Sequence, residues 1–154
     1  MSDRHNREFR DDERQLWRNW LGSIAVLSEN FTAALRRHGI DLNHFEVLLR
    51  LSEADGHRIR MSHLAEQCYQ SRSRLSHTIK SMERKGFIIR QDDLCDRRGV
   101  IAILTDEGKA LLKRAQPDYL DCLFTSLIDP IGEDLPTVSR ALVSIITHGD
   151  REAR

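Results

Sequence analysis

Between Met61 and Thr105 the chain sets out a short helix, a turn, a basic helix, a strand, a polar loop and a second strand, and few folds accept that order. Ser62 suits the N-cap of a short helix ending near Cys68. After the turn Tyr69-Gln70-Ser71, a helix over about Arg72–Lys85 has Leu75, Ile79 and Met82 on one face. Its other face carries Arg72, Ser73, Ser76, His77, Lys80 and Arg84, and Gly86 is its stop signal. Phe87–Gln91 and Gly99–Leu104 are apolar, β-branched segments around the polar loop 92–98, the pattern of a hairpin. Thr105 then caps a new helix with Asp106 and Glu107 in its first turn, where the helix dipole favours acids. Elements of these types in this order predict a winged helix-turn-helix.

Helices flank this lobe. From about Asp12 to Arg37, Leu16, Trp17, Trp20, Leu21, Ile24, Leu27, Phe31, Ala34 and Leu35 recur at helical spacing, and Gly39 ends the run as a left-handed cap. A second helix is expected over about Asn43–Ala54, with Phe45, Leu48, Leu49 and Leu51 inward and Asp55-Gly56 as its stop. After Thr105, apolar positions run from Leu111 to Leu127, and Pro117 is expected to kink or interrupt that helix. Asp129-Pro130 closes the segment, and a last amphipathic helix is expected over about Leu135–Thr147. The long apolar faces at both chain ends exceed what a small winged helix can cover, so a homodimer is expected.

Net charge assigns no partner, because 24 basic and 24 acidic residues cancel. Its distribution does. Between His57 and Arg98 lie Arg58, Arg60, Arg72, Arg74, Lys80, Arg84, Lys85, Arg90, Arg97 and Arg98, against Glu66, Glu83, Asp92, Asp93 and Asp96. A locally basic middle on a neutral chain is the electrostatic footprint of a DNA-binding lobe. The expected organisation is therefore mainly α with a small β-hairpin wing. It comprises a charged tail over 1–11, an N-terminal dimerisation helix over 12–40, a DNA-binding lobe over 41–105, C-terminal dimerisation helices over 106–148 and a tail over 149–154.

In such a lobe the first turns of the second helix reach base edges in the major groove. Ser71, Arg72, Ser73, Arg74, Ser76 and His77 occupy that stretch, and Lys80, Arg84 and Lys85 follow as phosphate contacts or solvated charges. Arg can take the O6/N7 pair of guanine with two hydrogen bonds. In the loop, Arg98 is the candidate for insertion into the minor groove, Asp96 its orienting partner and Arg97 a phosphate contact. Taken alone, an Arg- and Ser-rich helix is more often a solvated face; the helix before it and the charged hairpin after it change that reading.

The sequence resembles the MarR family of winged-helix transcriptional regulators. The resemblance is carried by Phe45-Glu46-Val47-Leu48, Met61-Ser62-His63-Leu64-Ala65 and Ser71-Arg72-Ser73-Arg74-Leu75-Ser76. It continues through Met82-Glu83-Arg84-Lys85-Gly86-Phe87-Ile88, Asp96-Arg97-Arg98-Gly99 and Leu104-Thr105-Asp106-Glu107-Gly108, and covers about Trp17 to Leu127. Actinobacterial-type members with a similar recognition helix are nearest, and the wing loop looks slightly shorter than in similar sequences. The resemblance implies an obligate homodimer with intertwined terminal helices, bound to a palindromic operator. It also implies responsiveness to small phenolic or amphipathic ligands or to oxidants. For a ligand the candidates are Trp17, Trp20 and His44, although two tryptophans at helical spacing are more often core or interface.

Cys95, beside Arg97, is the leading redox candidate and Cys68 the second; Cys122 reads as an apolar interior residue. Three widely spaced cysteines without CxxC make a poor disulfide framework and no zinc ribbon. The histidines show no i, i+4 pair, so no metal site is expected. No P-loop, GxGxxG or nucleophile elbow is present, which argues against an enzyme, and no cofactor is expected. The charged N-terminus and the absence of an apolar run of roughly 20 residues lead to the expectation of a cytoplasmic protein without a membrane partner. The expectation is a DNA-binding transcriptional regulator, most readily a repressor; the alternative is a winged-helix module that binds protein.

Overall fold

A computed structural model describes residues 8–93, 96 and 99–152. Helix α1 (Asp11–Arg36) opens on Asp11, Asp12 and Glu13, and Gly39 turns the chain after it with φ +70°. Helix α2 (Leu42–Glu53) is capped by Asp41, whose carboxylate accepts from the His44 amide at 2.9 Å. Strand β1 (Arg58–Arg60) leads directly into α3 (Met61–Gln67), and α4 (Arg72–Arg84) follows a short turn. Strands β2 (Ile88–Asp92) and β3 (Val100–Leu104) form the hairpin. Helices α5 (Asp106–Leu123), α6 (Asp129–Ile131) and α7 (Leu135–Glu152) complete the chain, with a π-helical turn over Phe124–Ile128.

The chain divides into two compact units. Unit 1 is Met1–Asn30 with Thr125–Arg154; unit 2 is Phe31–Phe124 and holds the winged helix. Unit 2 is built around α2, whose Phe45, Val47, Leu48 and Leu51 are buried against Leu64 of α3 and Leu75, Ile79 and Met82 of α4. The sheet is antiparallel in the order β1-β3-β2, with Ile59 opposite Ala102 and Ile88 opposite Leu104. These four residues are buried, so one face of the sheet seals the core and the other faces solvent.

Helix α5 docks on this lobe through a short motif. The Thr105 hydroxyl oxygen accepts from the Gly108 amide at 3.0 Å, while its proton goes to the Gly86 carbonyl at 2.7 Å. Gly108 is required by space: a Cβ there would lie 2.7 Å from Leu104 Cδ1 and closer still to the Phe87 carbonyl oxygen. In the last third of α5, Tyr119 stacks on Phe45 with ring centroids 4.1 Å apart and a 21° tilt.

Several local expectations change. Ser62 is not the cap of α3: the cap position lies two residues earlier, at Arg60, and carries no side-chain capping bond. The sheet has a third strand, β1, beyond the hairpin. Pro117 does not interrupt α5; it lies on an exposed face, where the carbonyl left without its N–H donor can be met by water. The last helix extends to Glu152 rather than stopping at Thr147.

Candidate nucleic-acid interface

Helix α4 is held by its apolar stripe and presents the rest. Leu75, Ile79 and Met82 are buried to within about one per cent of full coverage. At about 100° per residue, Ser73, His77, Lys80 and Arg84 lie opposite that stripe, and all four are exposed. Arg72 and Arg74 project to either side of this line in the first turn, also exposed, while Ser76 is half-buried on the Arg72 side. Ser71 caps the helix: its hydroxyl oxygen accepts from the Arg74 amide at 3.2 Å, leaving the hydroxyl proton to donate outward. The first amides of α4 have no intrahelical acceptor, and the helix dipole adds positive potential there.

The basic residues of the lobe separate into two groups. Arg90 sends Nε and a terminal nitrogen to Glu83 Oε2 at 2.9 and 2.6 Å, which holds the Glu83 carboxyl below its usual range. Lys85 donates to the Gly39 carbonyl at 2.9 Å, which ties the end of α4 to the chain after α1. Arg60 is bound to Asp93 and Asp96 at the base of the wing. By contrast, among the described residues no ion pair engages Arg72, Arg74, Lys80 or Arg84. Four uncompensated cations on one exposed helix are a surface for a polyanion.

The base of the wing is well defined. The Asp93 amide donates to the Gly99 carbonyl at 2.9 Å, Asp96 to the Asp93 carbonyl at 3.2 Å and Gly99 to the Asp96 carbonyl at 2.7 Å. Asp96 lies 3.5 Å from Arg60. Its expected pairing with Arg98, the insertion of Arg98, the phosphate contact of Arg97 and the redox role of Cys95 all fall outside the described residues.

In a scan of family models, residues 38–99 match that of the MarR family. The chain is similar to the solved structure of AbsC, a MarR family transcriptional regulator from Streptomyces coelicolor, with 35% identity and a TM-score of 0.88 over 93% of this chain and 97% of that one. The chain belongs to the MarR family. This MarR-family regulator is also similar to Sco3205 from Streptomyces coelicolor, solved in complex with DNA, at 30% identity and TM-score 0.87 over 93% of this chain and 91% of that one. Among curated proteins it is similar to the transcriptional repressor MprA of Escherichia coli K12, 27% identical over 89% of this chain and 80% of that protein. The relatives are transcriptional regulators, not enzymes.

The signal-sensing candidates of this MarR-family regulator sit in different units. In unit 1, Trp17 and Trp20 line an apolar groove of about 790 Å³ with Phe9, Leu16, Val138 and Leu142. In unit 2, His44 Nδ1 lies 2.7 Å from Asp41 Oδ1. An ionised carboxylate can only accept, so Nδ1 carries the proton. His44 Nε2 is buried without a hydrogen-bond partner among the described residues. Burial, reinforced by the Glu46 carboxylate, pushes the Cys68 thiol up to about 11, which suppresses the thiolate that oxidants attack. Cys122 is buried. Among the described residues no cluster of three metal-binding side chains forms, and no helix is long and apolar enough to cross a membrane.

What periodicity did not reveal is which cations are already spent on structure. Arg60 with Asp93 and Lys85 with Gly39 are contacts 33 and 46 residues apart in sequence. Only the alternation Arg58-Ile59-Arg60 hinted at the strand that brings the first pair together.

Proposed function

We propose that this regulator is a homodimeric repressor that occupies a palindromic operator and is displaced from it by a small aromatic or amphipathic ligand. The observation that carries the reading is the exposed face of α4, with Arg72, Arg74, Lys80 and Arg84 free of acidic partners among the described residues. Ser73 and His77 face base edges, Ser71 and Ser76 donate to phosphates or bases, and Arg72 and Arg74 read guanine or hold the flanking backbone. Lys80 meets a phosphate. From the wing, Arg98 enters the minor groove with Asp96 as its orienting partner, and Arg97 meets the backbone. Trp17 and Trp20 supply apolar surface for the ligand in unit 1, His44 is tested separately as a polar contact in unit 2, and Cys95 is the thiol to test for oxidant response. A duplex operator places the site of action in the cytoplasm.

In vitro selection of random duplexes tests this. A palindrome with half-sites about 34 Å apart, one helical turn, is the expected outcome. Binding that falls steeply with salt accompanies it, because each neutralised phosphate releases counterions. A folded protein that enriches no sequence overturns the reading in favour of a protein-binding winged helix. Arg98→Ala is expected to weaken operator binding by about 1–3 kcal/mol; equal affinity in a fluorescence-anisotropy titration would remove Arg98 from the interface.

A further inference from the structure

The strand order β1-β3-β2 separates β1 from β2 by a full strand, yet arginines of β1 reach across it: Arg58 donates to Gln91 at 3.4 Å, and Arg60 reaches beyond the end of β2. Arg60, the last residue of β1, pairs across the ladder with Ile101 of β3. Its guanidinium continues past β3 to Asp93, the first residue after β2, a span of roughly 9–10 Å measured across two strand spacings. There Nε and a terminal nitrogen reach Asp93 Oδ2 at 2.6 and 2.5 Å, and the other terminal nitrogen lies 3.5 Å from Asp96. Asp93 is only 11% exposed, and a carboxylate so covered requires a cation. Gly99 supplies the room: a Cβ at this position would come within 2.9 Å of Asp93 Cβ. The Arg60 side chain makes no cap for α3 although it stands at that helix's start.

We propose that Arg60 is a positioning residue for DNA recognition, a strut that fixes the base of the wing against the start of the helix-turn-helix. The proposal rests on the DNA-binding reading above. A duplex presents the major and adjacent minor grooves at a set separation, so the two reading elements must hold a matching offset before contact. Arg60 stands at the foot of α3, which packs on α4 through Leu64, and Asp93 stands at the base of the wing. Without the strut, the wing loses its fixed offset and part of the binding energy goes into ordering it. The basic charge of Arg60 is thus used inside the protein, not on a phosphate.

The charge logic separates this role from a direct contact. Removing a carboxylate beside a phosphate backbone strengthens binding if that carboxylate is a bystander. A strut demands the opposite. We expect Arg60→Ala and Asp93→Ala each to weaken operator binding about tenfold, with the double variant no weaker than either single one. Arg60→Lys keeps the charge but not the fork, and is expected to recover little of the loss. Hydroxyl-radical protection is expected to fade only at the minor-groove flank facing the wing. Wild-type or tighter binding by Asp93→Ala overturns the proposal, as do additive losses. A shallower salt dependence confined to Arg60→Ala also overturns it, by marking Arg60 as a phosphate contact.

If the wild-type chain binds no duplex, the DNA-binding reading fails by itself, and amide exchange still decides the strut. The Asp96 and Gly99 amides are expected to exchange at least about fivefold faster in folded Arg60→Ala than in wild type. Unchanged exchange would mean that Arg60 holds nothing in place.

Discussion

Asp41 accepts two hydrogen bonds from one residue, the His44 amide at 2.9 Å and its ring Nδ1 at 2.7 Å, and thereby caps α2 at the centre of the lobe. The His44 side-chain bond is the main reason that the Asp41 carboxyl falls to about 2. A carboxyl depressed in the folded state stabilises it above the ordinary aspartate range, and the contribution is lost as pH falls through about 4 towards about 2. Asp41 is half-exposed, so solvent screening keeps the effect well below what the shift alone would give. Asp41→Asn keeps a capping oxygen but not the charge. We expect it to be less stable than wild type by about 0.3–1 kcal/mol near neutral pH, the charge term at a helix start, with the gap closing below pH 4 in urea titrations. A gap that persists unchanged at pH 2.5 would mean that cap geometry, not charge, sets the difference.

At the scale of elements, the junction of α4, β2 and α5 leaves no room for a side chain at Gly108. The Phe87 carbonyl accepts from the Thr105 amide at 3.1 Å and lies where a side chain on Gly108 would have to go. The α5 start cannot retreat without giving up that bond and the Thr105–Gly86 bond. Gly108→Ala is therefore expected to cost about 1–3 kcal/mol by overpacking, read as a lower urea midpoint. A variant as stable as wild type would mean that the junction spreads without loss. This region was legible in the sequence because its signals are local: Ser71, the Leu75-Ile79-Met82 stripe, Gly86 and Thr105 each act within one or two turns. Strand β1 was not legible, because three residues are too few for an alternation to stand out, and β1 exists through pairing with β3 some forty residues later. Ser62 misled for a related reason. It is a good cap in isolation, but the extended backbone of Arg60 runs straight into the helix at Met61, so the cap position was taken before Ser62 was reached. The same distance in sequence hid the Arg60–Asp93 pair and hid which basic residues remain for a partner.

At the scale of the molecule, the two chain ends form a unit whose surface does not suit water. Leu16 is 68% exposed and Ile145 59%, and Trp17, Leu21, Ile24, Val143 and Ile146 are exposed with them. Scattered apolar residues are ordinary, but runs of them at helical spacing on both α1 and α7 amount to unpartnered faces. A second copy of the chain offers the same faces, and a two-fold arrangement supplies two α4 helices for two half-sites. If the dimer we propose covers these residues, folding and association are one equilibrium, and the urea midpoint must rise with protein concentration. Sedimentation is expected to give a single species at twice the 17.9 kDa of the chain. Trp17→Glu with Ile145→Glu places charges in the proposed interface without touching unit 2, and is expected to shift the species to monomer and to abolish high-affinity operator binding. Because half of an operator still fits one lobe, weak binding to a single half-site should survive in that variant. A wild-type chain that sediments at 17.9 kDa and unfolds at a midpoint independent of concentration would mean that these faces serve a different partner, and that any palindrome is read by two molecules meeting only on the DNA.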